Sequence, residues 1–164
     1  MNFCSTSYKE RMQEVSVVIP NYNGLAYLDG VLSSLEKQTL KDFEVILVDN
    51  GSVDGSCAFV MENYPWVHMI ELQENFGFCR AVNEGIRVAR AKYVLLLNND
   101  IEADEHFLQE MVDGIRRHKK AFSCAAKMIQ FHDRKKIDDA GNFYCALGWP
   151  YARGKDKDSN LYTK

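Results

Sequence analysis

Short apolar runs alternate with amphipathic segments along most of the chain. Residues 15–20 (VSVVIP) and 43–48 (FEVILV) are rich in β-branched side chains and predict two buried strands. Residues 67–72 and 93–97 predict two more strands. The last of these runs (YVLLL) is almost entirely apolar, which is typical of a central parallel strand that is covered on both faces.

The segments between these runs carry apolar residues at the three- and four-residue spacing of a helix that buries one side. The stripe of Leu28, Val31, Leu32 and Leu35 predicts the first helix. Further helices are predicted at residues 57–64, 78–89 and 105–118, and a fifth strand at residues 122–131. From His132 onward the pattern weakens, and residues 138–141 (DDAG) and 153–154 (RG) indicate turns in loops.

Alternating strands and helices predict an α/β fold of the Rossmann-like kind, with a mostly parallel sheet and helices on both faces. In such sheets ligands bind beyond the carboxyl ends of the strands. We therefore expect one ligand to contact the residues that follow the four predicted strands. These residues are Pro20, Asn21, Tyr22 and Asn23; Asp49 and Asn50; Glu74, Asn75 and Gly77; and Asn98, Asn99 and Asp100.

Asp100 directly follows a buried strand, which makes it a candidate ligand for Mg²⁺ or Mn²⁺ at a diphosphate. Taken alone, a role in capping the next helix explains Asp100 equally well. Asp49 could accept a hydrogen bond from the N–H edge of a base, or only form a turn. Asn75 and Gly77 would let the backbone approach a nucleoside, although Asn-x-Gly is also common in ordinary turns. Tyr22 could pack on a base, but a core or rim position is favoured.

Composition limits the classes of protein and of partner. The chain has 164 residues, 46% hydrophobic and 26% charged, which is typical of one globular domain. Its formal net charge of -3 argues against nucleic acid as a partner. Basic runs at residues 119–120 and 134–136 favour a solvated face over contact with an anionic membrane.

The cysteines and the amino-terminal residues bear on the compartment. The five cysteines are scattered and none forms a C-x-x-C pair, so neither a disulfide framework nor a zinc site is indicated. No apolar run approaches the roughly 20 residues of a membrane span, and residues 1–14 form a polar leader without a signal peptide's apolar core. We therefore expect a cytoplasmic protein, either free or at the inner face of the membrane.

Four motifs occur in order across the predicted strand ends. They are VSVVIPNYNG at 15–24, VDNGSVDGS at 48–56, NFGFCRAVNEG at 75–85 and LLNND at 96–100. Together they resemble family 2 glycosyltransferases, which have the GT-A fold. The NFGF and NND variants, with the later DDAG and RG, look most like the rhamnosyltransferase-type branch of that family.

The resemblance implies a nucleotide-diphosphate-sugar donor, UDP- or dTDP-linked, and a glycan or lipid-linked acceptor in polysaccharide synthesis, with inversion at the sugar. It places the residues 20–23, Asp49 and Asn75 around the nucleoside. Asp100 would hold Mg²⁺ or Mn²⁺ in place of the family's D-x-D signature, whose first aspartate is Asn98 here. Val82 stands where many relatives carry an arginine, so no phosphate role is transferred to an arginine.

The family's general base lies well downstream of the D-x-D region, and nothing after Asp100 matches its motif. Asp138 and Asp139 are candidates by charge alone, and a turn is favoured for both. We therefore expect the base beyond Lys164 and the chain to be an amino-terminal part. The expected organisation is the leader at 1–14, a nucleotide-sugar-binding core at 15–131, and the start of an acceptor-side region at 132–164. The alternative is a noncatalytic module that binds a nucleotide sugar or another protein.

Overall fold

A computed structural model of the protein describes residues 12–162. Most of the predicted leader at residues 1–14 therefore lies outside the described residues. The chain divides into two compact units, the first ending at Glu105 and the second beginning at His106. The predicted functional boundary after Phe131 does not coincide with this division and stays a prediction.

The first unit alternates strands and helices, as the sequence predicts. Its elements are β1 Val15–Asn21, α1 Leu25–Glu36, β2 Phe43–Asn50, α2 Ser56–Asn63, β3 His68–Leu72, α3 Phe78–Val88 and β4 Tyr93–Leu96. The strands form one parallel sheet in the order β3-β2-β1-β4. The predicted parallel α/β architecture is confirmed. Strand order reverses between β1 and β4, so the switch point lies at the carboxyl end of β1.

Both faces of the central strands are shielded from solvent. Val18 and Val48 pack with Ala81 of α3 on one face. Val17 and Ile19 of β1 point to the opposite face because side chains alternate along a strand, and both are fully buried. The sheet therefore has an apolar layer on each side, and polar residues are confined to its edges and ends.

Two local features fix the helices against this sheet. Gly85 of α3 lies so close to β1 that an added Cβ would be 2.4 Å from Val18 Cγ1. Asp54 accepts hydrogen bonds from the first N–H group of each of two helices, Leu25 of α1 at 2.9 Å and Ser56 of α2 at 3.0 Å. One carboxylate therefore supplies the caps that both helix starts otherwise lack.

The prediction that residues 93–97 form a central strand is wrong in one respect. Within the described residues β4 pairs only with β1 and lies at the edge of the sheet. Val94 and Leu96 are 43% and 52% exposed. An apolar run shows only that its side chains favour burial. The position of a strand within the sheet depends instead on packing between distant segments of the chain.

The second unit contains one helix and short antiparallel strands. These are α4 Phe107–Arg117, β5 Met128–Ile129, β6 Ile137–Asp139, β7 Asn142–Tyr144 and β8 Pro150–Ala152. β5 pairs with β6, and β7 pairs with β8. Among the helices of residues 12–162, none is long and apolar enough to cross a membrane.

Two predictions for the second unit need correction. The strand predicted at residues 122–131 is reduced to the two residues of β5, and Phe122 at its start is fully exposed. Asp138 and Asp139, predicted as turn residues, lie in β6, where Asp139 pairs with Met128 and Ile137 pairs with Ile129 of β5. Composition favours a turn locally, but the cross-strand ladder overrides that preference. Gly154 does lie in a turn, with φ of 75°.

Candidate functional site

The loops that follow β1, β2 and β4 meet at one edge of the sheet. Asn21 at the end of β1 is in register with Asp49 near the end of β2. Because the strands are parallel, their carboxyl ends all open toward the same side. The residues predicted from four separate sequence motifs are therefore brought to a common place.

Asn21 links all three of these loops through one buried side-chain amide. Its Nδ2 donates to Asp49 Oδ1 at 2.8 Å and to Ser52 Oγ at 3.3 Å. Its Oδ1 accepts a hydrogen bond from Asn99 Nδ2 at 2.7 Å. Asn21 is 1% exposed, so water cannot replace these partners. The amide uses both of its polar ends to hold the loops after β2 and β4 against β1.

Asp49, near the end of β2, is a buried carboxylate. It is 2% exposed, and its second carboxylate oxygen accepts a hydrogen bond from the backbone N–H of Ser52 at 2.8 Å. Burial, together with the charges and hydrogen bonds of Asp49 and Glu71, raises the pKa of the Cys57 thiol to about 12. The described contacts of Asp49 thus serve the turn after β2, and Cys57 stays protonated near neutral pH.

Asn50, the next residue of β2, anchors the loop after β3. Its Nδ2 donates to Asn75 Oδ1 at 2.8 Å, and its Oδ1 accepts from the backbone N–H of Phe76 at 3.0 Å. Asn75 Oδ1 also accepts from the backbone N–H of Gly77 at 2.9 Å. The loop is therefore folded around two amide side chains before any ligand binds.

A pocket of about 430 Å³ lies above these amides. It is within the size range of small-molecule sites. Its lining residues are Pro20, Asn21, Tyr22, Asn50, Asn75, Gly77, Phe78, Ala81, Asn98, Asn99 and Asp100. Tyr22 and Phe78 are 51% and 60% exposed, so both aromatic rings offer surface to a ligand.

Most of the predicted site residues line this pocket, but Asn23, Asp49 and Glu74 do not. Asn23 instead accepts a hydrogen bond from the backbone N–H of Val53 at 2.9 Å. Asn50, which was expected at the end of β2, also lines the pocket, and Phe78 and Ala81 line it without having been predicted as site residues. The alternation of side chains along β2 explains why Asn50 lines the pocket and Asp49 does not, because only one of two consecutive residues can face the side occupied by α3.

Among the described residues that line the pocket, Asp100 supplies the one carboxylate. Among residues 12–162 no group of three or more His, Cys, Asp and Glu side chains is placed to hold a metal ion. Mg²⁺ is commonly bound through one or two carboxylates, with phosphate oxygens and water completing the coordination. The donor set therefore fits a cation that arrives with a phosphate ligand.

Asp138 and Asp139 of the second unit are engaged locally. Asp138 forms an ion pair with Lys155 at 3.7 Å, and Asp139 accepts a hydrogen bond from the backbone N–H of Gly141 at 2.8 Å. Both contacts support the backbone around β6. A role for either carboxylate as general base stays an untested prediction.

Comparisons with known proteins point to one family. The chain is 33% identical over 146 residues to the glycosyltransferase GlyG of Streptococcus pneumoniae, covering 87% of this chain and 44% of that protein. It is 27% identical over 128 residues to TuaG of Bacillus subtilis, a putative teichuronic acid biosynthesis glycosyltransferase, covering 76% of this chain and 50% of that protein. The chain thus spans about half the length of these relatives or less.

Solved structures share the fold. The TarS structure from S. aureus in complex with UDP-GlcNAc has a TM-score of 0.60 at 23% identity, covering 72% of this chain and 38% of that chain. A mannosyltransferase from Pyrobaculum calidifontis in complex with GDP-Man and Mn²⁺ has a TM-score of 0.59 at 24% identity, covering 65% and 33%. The family model described as glycosyl transferase family 2 matches residues 16–163. With its parallel sheet and its pocket at the switch point, this chain therefore belongs to glycosyltransferase family 2.

Proposed function

We propose that the first unit binds a nucleotide-diphosphate sugar in the pocket at the switch point, for inverting transfer of the sugar to an acceptor hydroxyl. The observation that carries this proposal is the meeting of the β1, β2 and β4 ends, with Asp100 and an amide cluster, in one pocket of about 430 Å³. Family membership and relatives named as glycosyltransferases support the reaction class. Polysaccharide synthesis is the process that the relatives' names favour.

The half of the pocket formed by β2 and the loop after β3 suits the nucleoside. The Oδ1 of Asn75 is held by Asn50 and by the backbone N–H of Gly77, which orients the Nδ2 of Asn75 as a donor for the edge of a base. The exposed rings of Tyr22 and Phe78 can pack against the face of a base. The resemblance to the rhamnosyltransferase-type branch makes UDP- and dTDP-linked sugars the first donors to test.

The half formed by the loop after β4 suits the diphosphate. No lysine or arginine is among the described residues that line the pocket, so the diphosphate has no cationic side chain to neutralise it. We assign that task to Mg²⁺ or Mn²⁺ held by Asp100, with the amide of Asn98 beside it. A bound cation would stabilise the negative charge of the leaving diphosphate. Asn99, tied to Asn21, would keep this loop in place.

Among the described residues that line the pocket, no second carboxylate is present to act as general base for the acceptor hydroxyl. Asp100 is the one carboxylate of the described pocket lining and is assigned to the cation, while Asp49 is buried and accepts hydrogen bonds from Asn21 and Ser52. A base must come within hydrogen-bond reach of the attacking hydroxyl. This observation keeps a second candidate function open, namely a module that binds the donor without transferring its sugar.

Calorimetry with UDP, dTDP and GDP, each with and without Mn²⁺, tests the proposal. We expect one nucleotide to bind, with Mn²⁺ increasing its affinity. Asp100→Asn should lower the affinity by at least tenfold in Mn²⁺ and have little effect without metal. Glu62→Gln, which removes an exposed carboxylate of α2, is the matched control and should change nothing.

Two outcomes would contradict the proposal: no nucleotide binds, or Mn²⁺ has equal effects on Asp100→Asn and on the unaltered chain. Release of free sugar from the matching donor separates the two candidate functions. Turnover above the background rate of hydrolysis supports a transferase, and binding without turnover supports the noncatalytic module.

A further inference from the structure

A second cavity lies wholly within the second unit, in a part of the chain to which the donor proposal gives no role. It has a volume of about 610 Å³ and is formed around the β7-β8 hairpin and the turn that follows it. Its lining combines three aromatic and three cationic residues: Phe143, Tyr151, Tyr162, Arg153, Lys155 and Lys157. No acidic residue is among the described lining residues.

The aromatic residues form two faces around a central arginine. Phe143 and Tyr151 are stacked across the hairpin, with ring centroids 5.5 Å apart. The guanidinium of Arg153 lies 4.0 Å from the centroid of the Tyr162 ring and 5.9 Å from that of Phe143. Stacking on rings orients an arginine while leaving its N–H groups at the edge free for an anion.

The backbone that carries the cationic residues is held by hydrogen bonds within the protein. The N–H of Arg153 donates to Gly141 O at 2.7 Å, and the N–H of Lys157 donates to Gly154 O at 3.0 Å. Gly154 is buried with φ of 75°, and an added Cβ would be 2.8 Å from the Tyr162 ring. The turn therefore depends on this glycine, and it holds the positive charges near the rings before a ligand arrives.

The charges of this cavity are only weakly compensated by the protein. Lys155 is 3.7 Å from Asp138, and both side chains are about half exposed, so the pair contributes little. The nearby Asp156 is not among the residues that line the cavity, and its carboxylate accepts a hydrogen bond from Gln130 Nε2 at 2.7 Å. The described lining residues thus carry three positive charges and no negative one, which favours an anion.

We propose that this cavity binds a phosphorylated saccharide, and that it recognises the acceptor of the transfer reaction. A sugar phosphate carries about 1.5 to 2 negative charges near neutral pH, which matches three cations better than the single charge of a uronate. The C–H face of a sugar ring packs on aromatic rings through dispersion and apolar burial. Assignment of this ligand as the acceptor rests on the proposed glycosyltransferase function, whereas the binding site itself does not.

Two-dimensional NMR of the whole chain tests the site directly. Glucose 6-phosphate, glucose, inorganic phosphate and glucuronate are titrated separately, and the amide signals of Gly154 and Lys157 report on the cavity. We expect glucose 6-phosphate to bind at least fivefold more tightly than each of the other three. Saturating UDP with Mg²⁺, which is diamagnetic, should leave this affinity unchanged while moving the amide signals of Asn75 and Gly77.

Two variants distinguish the contribution of the cationic residues to ligand binding from that of the aromatic rings. Lys157→Gln should weaken glucose 6-phosphate by about fivefold or more, because it removes a charge-assisted contact. Tyr151→Ala should weaken glucose 6-phosphate but leave inorganic phosphate unchanged. Lys120→Gln, which removes an exposed charge outside the cavity, is the matched control and should have no effect.

The proposal is overturned if glucose 6-phosphate binds no better than inorganic phosphate, if Lys120→Gln weakens binding as much as Lys157→Gln, or if UDP displaces the sugar phosphate. Failure of the donor proposal would look different. In that case UDP would leave the Asn75 and Gly77 signals in place while glucose 6-phosphate still moved Gly154 and Lys157.

Discussion

Asn21 should be the side chain on which the integrity of the donor pocket depends most. Asn21→Ala removes its hydrogen bonds to Asp49 at 2.8 Å and Ser52 at 3.3 Å, and the bond from Asn99 at 2.7 Å. A hydrogen bond to a charged group contributes about 1.5 to 3 kcal/mol, and one between neutral groups about 1 kcal/mol. Because Asp49 is 2% exposed, its abandoned oxygen gains little from water. We therefore expect the free energy of unfolding to fall by about 3 kcal/mol.

Urea denaturation measures this loss. For a slope of about 2 kcal/mol per molar urea, the midpoint should fall by roughly 1.5 M with the slope unchanged. Asn63→Ala is the matched control, because Asn63 is exposed and bonds only to Phe59 O one turn away in α2. Its effect should stay within about 0.5 kcal/mol.

Asn21→Asp tests the same contact by charge. It would place two carboxyl groups about 2.8 Å apart, and such pairs hold a shared proton at pH values where isolated carboxyls are ionised. The folded state then binds more protons than the unfolded state, so stability should rise as the pH falls from 8 to 5. Asn21→Ala should show no such gain. If Asn21→Ala costs less than about 1 kcal/mol, or Asn21→Asp is insensitive to pH, the Asn21–Asp49 contact does not carry the stability assigned to it.

Three further predictions concern the first unit. Gly85→Ala should lower the free energy of unfolding by about 1 to 3 kcal/mol, since its Cβ would be 2.4 Å from a valine methyl of β1. An alanine Cβ at Gly30 in α1 would meet no atom within 4 Å, so Gly30→Ala should raise the free energy of unfolding by about 0.5 to 1 kcal/mol. Equal effects of the two substitutions in denaturation would contradict the close contact between Gly85 and β1. Asp54→Ala should cost about 1 to 2 kcal/mol through two lost helix caps. Burial alone would raise the pKa of Asp54, but its hydrogen bonds lower it overall, so its contribution is present above about pH 4 and lost in more acid solution. Thermal melts from pH 3 to 7 should therefore show the variant and the unaltered chain converging at low pH, and a constant gap would contradict the capping role. Cys57, with its pKa raised to about 12, should resist iodoacetamide at pH 8 while the exposed Cys79 reacts, as mass spectrometry can show.

The sequence by itself determined the architecture of the first unit. Apolar periodicity depends only on the geometry of a strand or helix, so alternating periods were enough to predict β1 to β4 and the helices between them. The parallel arrangement follows because βαβ connections leave few other choices. The polar residues after the strands predicted a common site, and most of them line the pocket.

Tertiary structure alone decided which residues face that pocket and which strands lie at an edge. Asp49 and Asn50 are equally polar neighbours, but the packing of α3 on one face of the sheet sends Asn50 toward the pocket and leaves Asp49 buried outside the pocket lining. The apolar run of β4 carries no information about its single neighbour among the described strands, and β6 forms through pairing with β5. Such features arise from pairing between separate segments of the chain, which the periodicity within one segment does not encode.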